Sequence, residues 1–161
     1  MQRCPRFASI LALLVVAASS SGCDPSTMSR INNDTDTVIE LELTLDKEQW
    51  SHGFEPEEYQ QWLSERTDDW IKEQLSKYAS AGEGIELVAV DAPRLAGRFR
   101  MAPSALLTVH RGLGKGPYHD FSRLVVTRGD QTRTFSGSEV IRNLFRSAED
   151  NSWEFKISDE F

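Results

Sequence analysis

The chain has 161 residues, 18 Lys+Arg against 25 Asp+Glu, a net charge of -7 and 39% hydrophobic residues. That length and balance describe one acidic globular domain and exclude a polytopic membrane protein, a multidomain enzyme and a disordered chain. A pI near 5.0 lacks the strongly basic footprint of a nucleic-acid binder, so no nucleic-acid partner is expected.

Arg3 and Arg6 precede an apolar run over residues 7–18, and Ser19, Ser20, Ser21 and Gly22 then lead to Cys23, the layout of a secretory signal. These 12 residues, apolar but for Ser9, rise only about 18 Å as a helix, short of a bilayer core of about 30 Å, so the run reads as a removed signal and not as a span. The Ser-Ser-Gly-Cys segment over residues 20–23 resembles the lipobox of bacterial lipoproteins, with Ser20 where that family usually carries an aliphatic residue. The resemblance implies cleavage after residue 22 and lipidation, palmitate included, of Cys23, giving a membrane partner through acyl chains. It also implies a cell-envelope location facing the periplasm. Asp24 directly after the cysteine resembles an inner-membrane retention signal, with the outer membrane left open. Cys4 leaves with the signal and Cys23 is acylated, so no disulfide is expected.

The expected organisation is signal peptide 1–22, lipidated cysteine and flexible tether 23–37, and a single domain 38–161. Residues 24–37 are polar, with Pro25 and an Asn/Asp cluster. Asn32, Asp34 and Asp36 alternate like the start of a calcium loop, but Thr37 replaces the required Gly and Leu43 the bidentate Glu, so they read as turn residues. Residues 38–45 place Ile39, Leu41, Leu43 and Leu45 on one face and Glu40, Glu42 and Thr44 on the other, the period of a half-buried strand. Residues 56–80 switch to helical spacing through Tyr59, Trp62, Leu63, Trp70, Ile71, Leu75 and Tyr78, with Pro56 at the start and Gly82 at the stop. The aromatic stripe is expected to pack on a sheet.

Residues 85–90, 105–110, 121–127, 132–135 and 153–157 read as short strands, with Gly129-Asp130 making a tight hairpin. Ser136 and Ser138 are candidate caps for a short helix over residues 139–148. The order β, long α, several β, short α, β predicts an α+β fold: a mostly antiparallel sheet with one long amphipathic helix and one short helix. A β-sandwich with a helical insertion is the alternative.

Charge is uneven: residues 24–91 hold 17 acidic and 5 basic side chains, and residues 92–161 hold 8 acidic and 11 basic. Internal pairing of the two halves is the simplest reading. The best candidate binding loop lies after the strand-like run 105–110, where His110, Arg111, Lys115, His119 and Asp120 flank three glycines; backbone freedom and positive charge there suit an anionic ligand or envelope protein. His110, His119 and Asp120 are the one local set that could approach a metal, but they lack the spacing of a zinc motif, and no metal or cofactor is assigned. No Gly-x-Ser-x-Gly elbow, phosphate-binding loop or distinguished carboxylate pair is found, so no catalytic residue is named. These features favour a non-enzymatic binding or assembly module. An inhibitor of a cationic cell-wall enzyme, suggested by the acidic segment, and a small envelope hydrolase stay open.

Overall fold

The computed structural model describes residues 26–48, 57–58, 61, 68–79, 82–113, 119–149 and 151–160. They are mostly β, with two antiparallel-rich sheets and two short helices. The strands are β1 Ser26–Asn33, β2 Ile39–Leu45, β3 Ile85–Asp91, β4 Ala96–Met101, β5 Leu106–Leu113, β6 Phe121–Arg128, β7 Gln131–Ser136, β8 Arg146–Ser147 and β9 Ser152–Ile157. Helix α1 is Asp68–Ala79 and α2 is Ser138–Arg142, and a short 3-10 turn, Ala92–Arg94, joins β3 to β4.

A five-stranded sheet runs β3-β4-β2-β6-β7 and is antiparallel throughout. β2 lies at its centre, and the period of two seen in the sequence is realised, with Ile39, Leu41, Leu43 and Leu45 all buried. β6 and β7 form the expected hairpin. Arg128 faces Gln131 across Gly129-Asp130, and Gly129 takes φ +55°, the positive value wanted at the first central position of a II′ turn.

The second sheet runs β5-β1-β9-β8, with β1 antiparallel to β5 and parallel to β9. This corrects the expected tether: residues 26–33 are an interior strand. Thr27, Ser29, Ile31 and Asn33 are its buried residues, so the alternation of a half-buried strand is present but is carried mostly by polar side chains. β4 is another strand outside the expected set, burying Ala96, Gly97, Phe99 and Met101 between exposed Arg98 and Arg100.

Both sheets feed one hydrophobic cluster, which includes Ile31, Leu107, Val109 and Ile157 from the four-stranded sheet and Leu41, Leu43, Phe99 and Val126 from the five-stranded one. Asn33 ties them together. It is fully buried, and its amide nitrogen donates to the carbonyls of Thr37 (2.8 Å), Ala102 (2.9 Å) and Met101 (3.2 Å), while Thr35 Oγ1 donates to its oxygen at 2.7 Å. Two N–H bonds thus serve three carbonyls at the junction of β1 with the end of β4.

The described part of the expected long helix is α1, with Glu57, Glu58 and Gln61 also helical. One continuous helix over residues 56–80 is therefore not what is described, and the side chains of Trp62 and Trp70 lie outside the described residues. Ile71 and Leu75 are the buried face of α1, and the Tyr78 ring meets Phe99 edge-on at 6.5 Å. Leu75 sits directly on Gly97, where an added Cβ would stand 2.8 Å from Leu75 Cδ1. The expected short helix is shorter than residues 139–148: α2 ends at Arg142, and Arg146–Ser147 pair with β9. Its N-cap is Gly137, without a side-chain cap; Ser138 Oγ instead donates to Asp46 Oδ2 at 2.6 Å.

Two outcomes follow for stability. Asn33→Ala strands buried carbonyls, at about 1–3 kcal/mol for each left unpaired, and should lower the urea midpoint accordingly. Gly97→Ala should destabilise the parent but much less a Leu75→Ala background, giving a coupling of about 0.5–3 kcal/mol in a double-mutant cycle of urea unfolding.

Candidate functional site

The outer face of the five-stranded sheet absorbs much of the charge asymmetry. Directly opposed residues share a face, so Glu86, Arg100, Glu40, Thr127 and Thr132 form one row across the strands, and Ala89, Arg98, Glu42, Val125 and Thr134 the next. Arg100 pairs with Glu86 (3.4 Å) and Glu40 (3.7 Å), while Glu42 accepts from Arg123 at 2.6 Å and from Arg94 at 3.4 Å. Acid from the N-terminal half and base from the C-terminal half thus meet strand to strand. Pairs this exposed contribute at most about 1 kcal/mol each, so their main effect is to fix partners and not to supply stability.

The residues of the sequence-predicted loop part company. His110 and Arg111 lie in β5, with Arg111 exposed, whereas Lys115 lies outside the described residues. Asp120 is half-buried just before β6. His119 is only 4% exposed and belongs to the interior, not to an open binding loop. Its ring lies 4.6 Å from that of Phe121 and stacks on Phe145 at 6.1 Å and 14°. Nε2 stands 3.1 Å from the Ser138 carbonyl oxygen, which can only accept, so the neutral ring carries its proton there. Nδ1 is buried and makes no hydrogen bond among the described residues.

Burial lowers the His119 pKa from its usual 6.5; the Ser138 and Phe121 backbones oppose this, Arg142 adds to it, and Asp120 opposes it more weakly. Asp46, Ser138 and His119 are neighbours, but the imidazole meets the Ser138 carbonyl while the hydroxyl donates to Asp46, so the connectivity is not that of an activated nucleophile. Among the described residues no three His, Cys, Asp or Glu side chains converge as metal ligands.

A cleft of about 800 Å³ opens on the four-stranded sheet, where Arg30 of β1, Glu154 of β9 and Arg146 of β8 stand opposite one another across three adjacent strands. Lys156, Ser152 and Glu149 also line it. Its volume is in the range of small-molecule sites, which are typically about 300–1,000 Å³. The rim is the β8–β9 turn, closed by Ala148 N donating to the Ser152 carbonyl at 2.8 Å and by Ser152 Oγ donating to the Glu149 carbonyl at 2.7 Å. Asn151 takes φ +55° in this turn, a conformation Asn tolerates well.

Glu154 is committed within the cleft: Asn32 Nδ2 donates to one oxygen at 2.8 Å and Lys156 Nζ lies 3.8 Å from the other. Arg146 is held by two backbone carbonyls, those of Asn143 and Phe145, which position the guanidinium without neutralising it. The contact of Arg30 is the Met28 thioether at 3.5 Å, a weak acceptor. Neither guanidinium pairs with a carboxylate among the described residues. Sequence reasoning missed this group because its members come from three separated stretches with no shared spacing; the strand period of residues 153–157 was the only local sign that Glu154 and Lys156 share a face. No family model, curated protein or solved structure matches the chain.

His119 yields a pH prediction. Its folded pKa lies below the unfolded value, so above about pH 6.5 both states leave it neutral and the linkage vanishes; as pH falls below 6.5 the unfolded chain takes up a proton that the folded chain refuses, and stability drops. Urea midpoints of the parent should fall between about pH 7 and 5 more steeply than those of His119→Gln.

Proposed function

We propose that the chain is a bacterial envelope lipoprotein, acylated at Cys23, whose two sheets form a β-sandwich acting as a non-enzymatic binding or assembly module on the periplasmic side. The observation that carries the binding role is the cleft at Arg30, Glu154 and Arg146, where charged groups are fixed by backbone and amide partners on an open face. Such preorganised polar groups in a concave site suit recognition of a ligand or partner. The membrane role rests on the basic, apolar and small-residue layout of residues 1–23. Among the described residues no helix is long and apolar enough to cross a membrane.

Only Asp24 and Pro25 separate Cys23 from β1, a reach of about 10 Å for three extended residues. Acyl chains on Cys23 would therefore hold the body against the headgroups, in place of the loose stand-off that a tether would give. The inhibitor reading loses ground, since Glu40, Glu42, Glu86 and Asp91 of the acidic segment already pair with arginines of this chain.

Two measurements test the reading. The parent should stay in the membrane fraction after a salt wash and show acyl mass on its N-terminal peptide, while Cys23→Ser should lose both. A Cys23→Ser chain that stays membrane-bound, or a parent without acyl mass, would refute the anchor. Cross-linking in intact cells should capture envelope components with the parent and fewer with Arg30→Gln/Arg146→Gln at equal abundance.

A further inference from the structure

The cleft's charges define a ligand class, and this step rests on the binding role proposed above. Arg30, Arg146 and Lys156 bring three positive charges and Glu149 and Glu154 two negative ones. Lys156 and Glu154 offset each other at 3.8 Å, with Asn32 occupying the other Glu154 oxygen. Among the described residues that leaves two guanidiniums without a carboxylate, on either side of a neutralised Glu154, and one carboxylate, Glu149, without a cation partner. Arg30 and Arg146 are two strand spacings apart, about 10 Å between Cα atoms, a gap two long side chains can close onto one anion. Arg146 donates one terminal nitrogen to the carbonyls of Asn143 and Phe145, leaving its other N–H groups for a ligand.

We propose that this cleft binds the carboxylate end of a zwitterionic small molecule, an amino acid or short peptide, with the carboxylate between Arg30 and Arg146 and the ammonium group toward Glu149. A carboxylate matches the planar fork of a guanidinium and takes charge-assisted hydrogen bonds from both arginines. A dianionic phosphate fits less well, because Glu149 and Glu154 line the same space and repel the additional charge. Glu149, with no cation partner among the described residues, then favours a cationic amine on the ligand over a neutral one. The hydroxyl of Ser152 is already spent on the Glu149 carbonyl, which sets the turn and leaves recognition to the charged groups.

The test uses the full chain in detergent micelles and calorimetric titration with alanyl-alanine, its C-terminal amide, its N-acetyl derivative and inorganic phosphate. Alanyl-alanine should bind saturably, the amide about tenfold more weakly or worse, and Arg30→Gln or Arg146→Gln should cost a similar factor for the parent dipeptide. Glu149→Gln should erase the preference for alanyl-alanine over its N-acetyl derivative while leaving the latter's affinity unchanged. Arg98→Gln, on the other sheet, serves as the unchanged control. If Arg146→Gln fails to fold, Arg146→Lys keeps the charge but loses the planar fork and should still weaken binding.

Absence of saturable dipeptide binding overturns the proposal, as does an amide that binds as tightly as the acid or an Arg146→Gln protein that is folded and binds normally. Phosphate binding tighter than dipeptide would also overturn it, in favour of a phosphate site. Dipeptide binding by a protein that fails the membrane test would sink the envelope reading alone, and an anchored protein that ignores the dipeptide would sink only the ligand class.

Discussion

A single buried carboxamide governs how the two sheets meet. Asn33 ends β1, and its hydrogen bonds reach the Met101 and Ala102 carbonyls at the end of β4, which belongs to the other sheet. Hydrophobic contact is non-directional and would let two apolar faces slide, whereas hydrogen bonds to identified carbonyls fix one relative position. The same residue organises the turn that follows, since its oxygen accepts from the Thr35 backbone and hydroxyl and its nitrogen donates to the Thr37 carbonyl. β2 begins two residues after Thr37 and becomes the central strand of the opposite sheet. The passage from one sheet to the next is therefore built around one side chain.

Charge is arranged to complement that frame. In the linear sequence the acids cluster toward the N-terminal half and the arginines toward the C-terminal half, as if each made a surface of its own. Antiparallel pairing instead places them side by side: Glu40 opposite Arg100, and Glu42 opposite Arg98 while bonded to Arg123 and Arg94. Most of that face is internally balanced. The cleft on the four-stranded sheet differs, because its guanidiniums are positioned by carbonyl oxygens and sulfur, partners that orient a cation and leave its charge available.

How much of this could be read in advance depended on where apolar residues carry the period. β2 was legible because Ile39, Leu41, Leu43 and Leu45 announce their face, and the β6–β7 hairpin because Gly129-Asp130 marks the reversal. β1 was hidden since only Ile31 of its four buried residues is apolar; Thr27, Ser29 and Asn33 obey the same alternation without a hydropathy signal. β4 was obscured differently, with Gly97 and Ala96 small and two arginines between the buried positions, because Leu75 of α1 needs a surface without a side chain at Gly97. His119 was misplaced for a related reason. The stretch before it is rich in glycine with a lysine and a proline, and although Phe121 is only two residues on, the ring it stacks on is that of Phe145, far along the chain. The cleft was out of reach altogether, since strand register, not spacing, assembles it.

The pairing of β1 with β9 has a kinetic side. The hydrogen bond between Asn32 and Glu154 joins residues 122 positions apart, and β1 cannot be enclosed on both edges until β9, the last of the described strands, arrives. Contacts of such long sequence separation slow folding, because the loop must be closed before its contacts compensate the lost entropy. The five-stranded sheet is complete by Ser136 and β1 can pair with β5 beforehand, but one edge of β1 keeps its backbone groups unpaired until residues 152–157 are available. Closure of the four-stranded sheet is therefore a late event that waits on β9, whereas the other sheet can assemble without it.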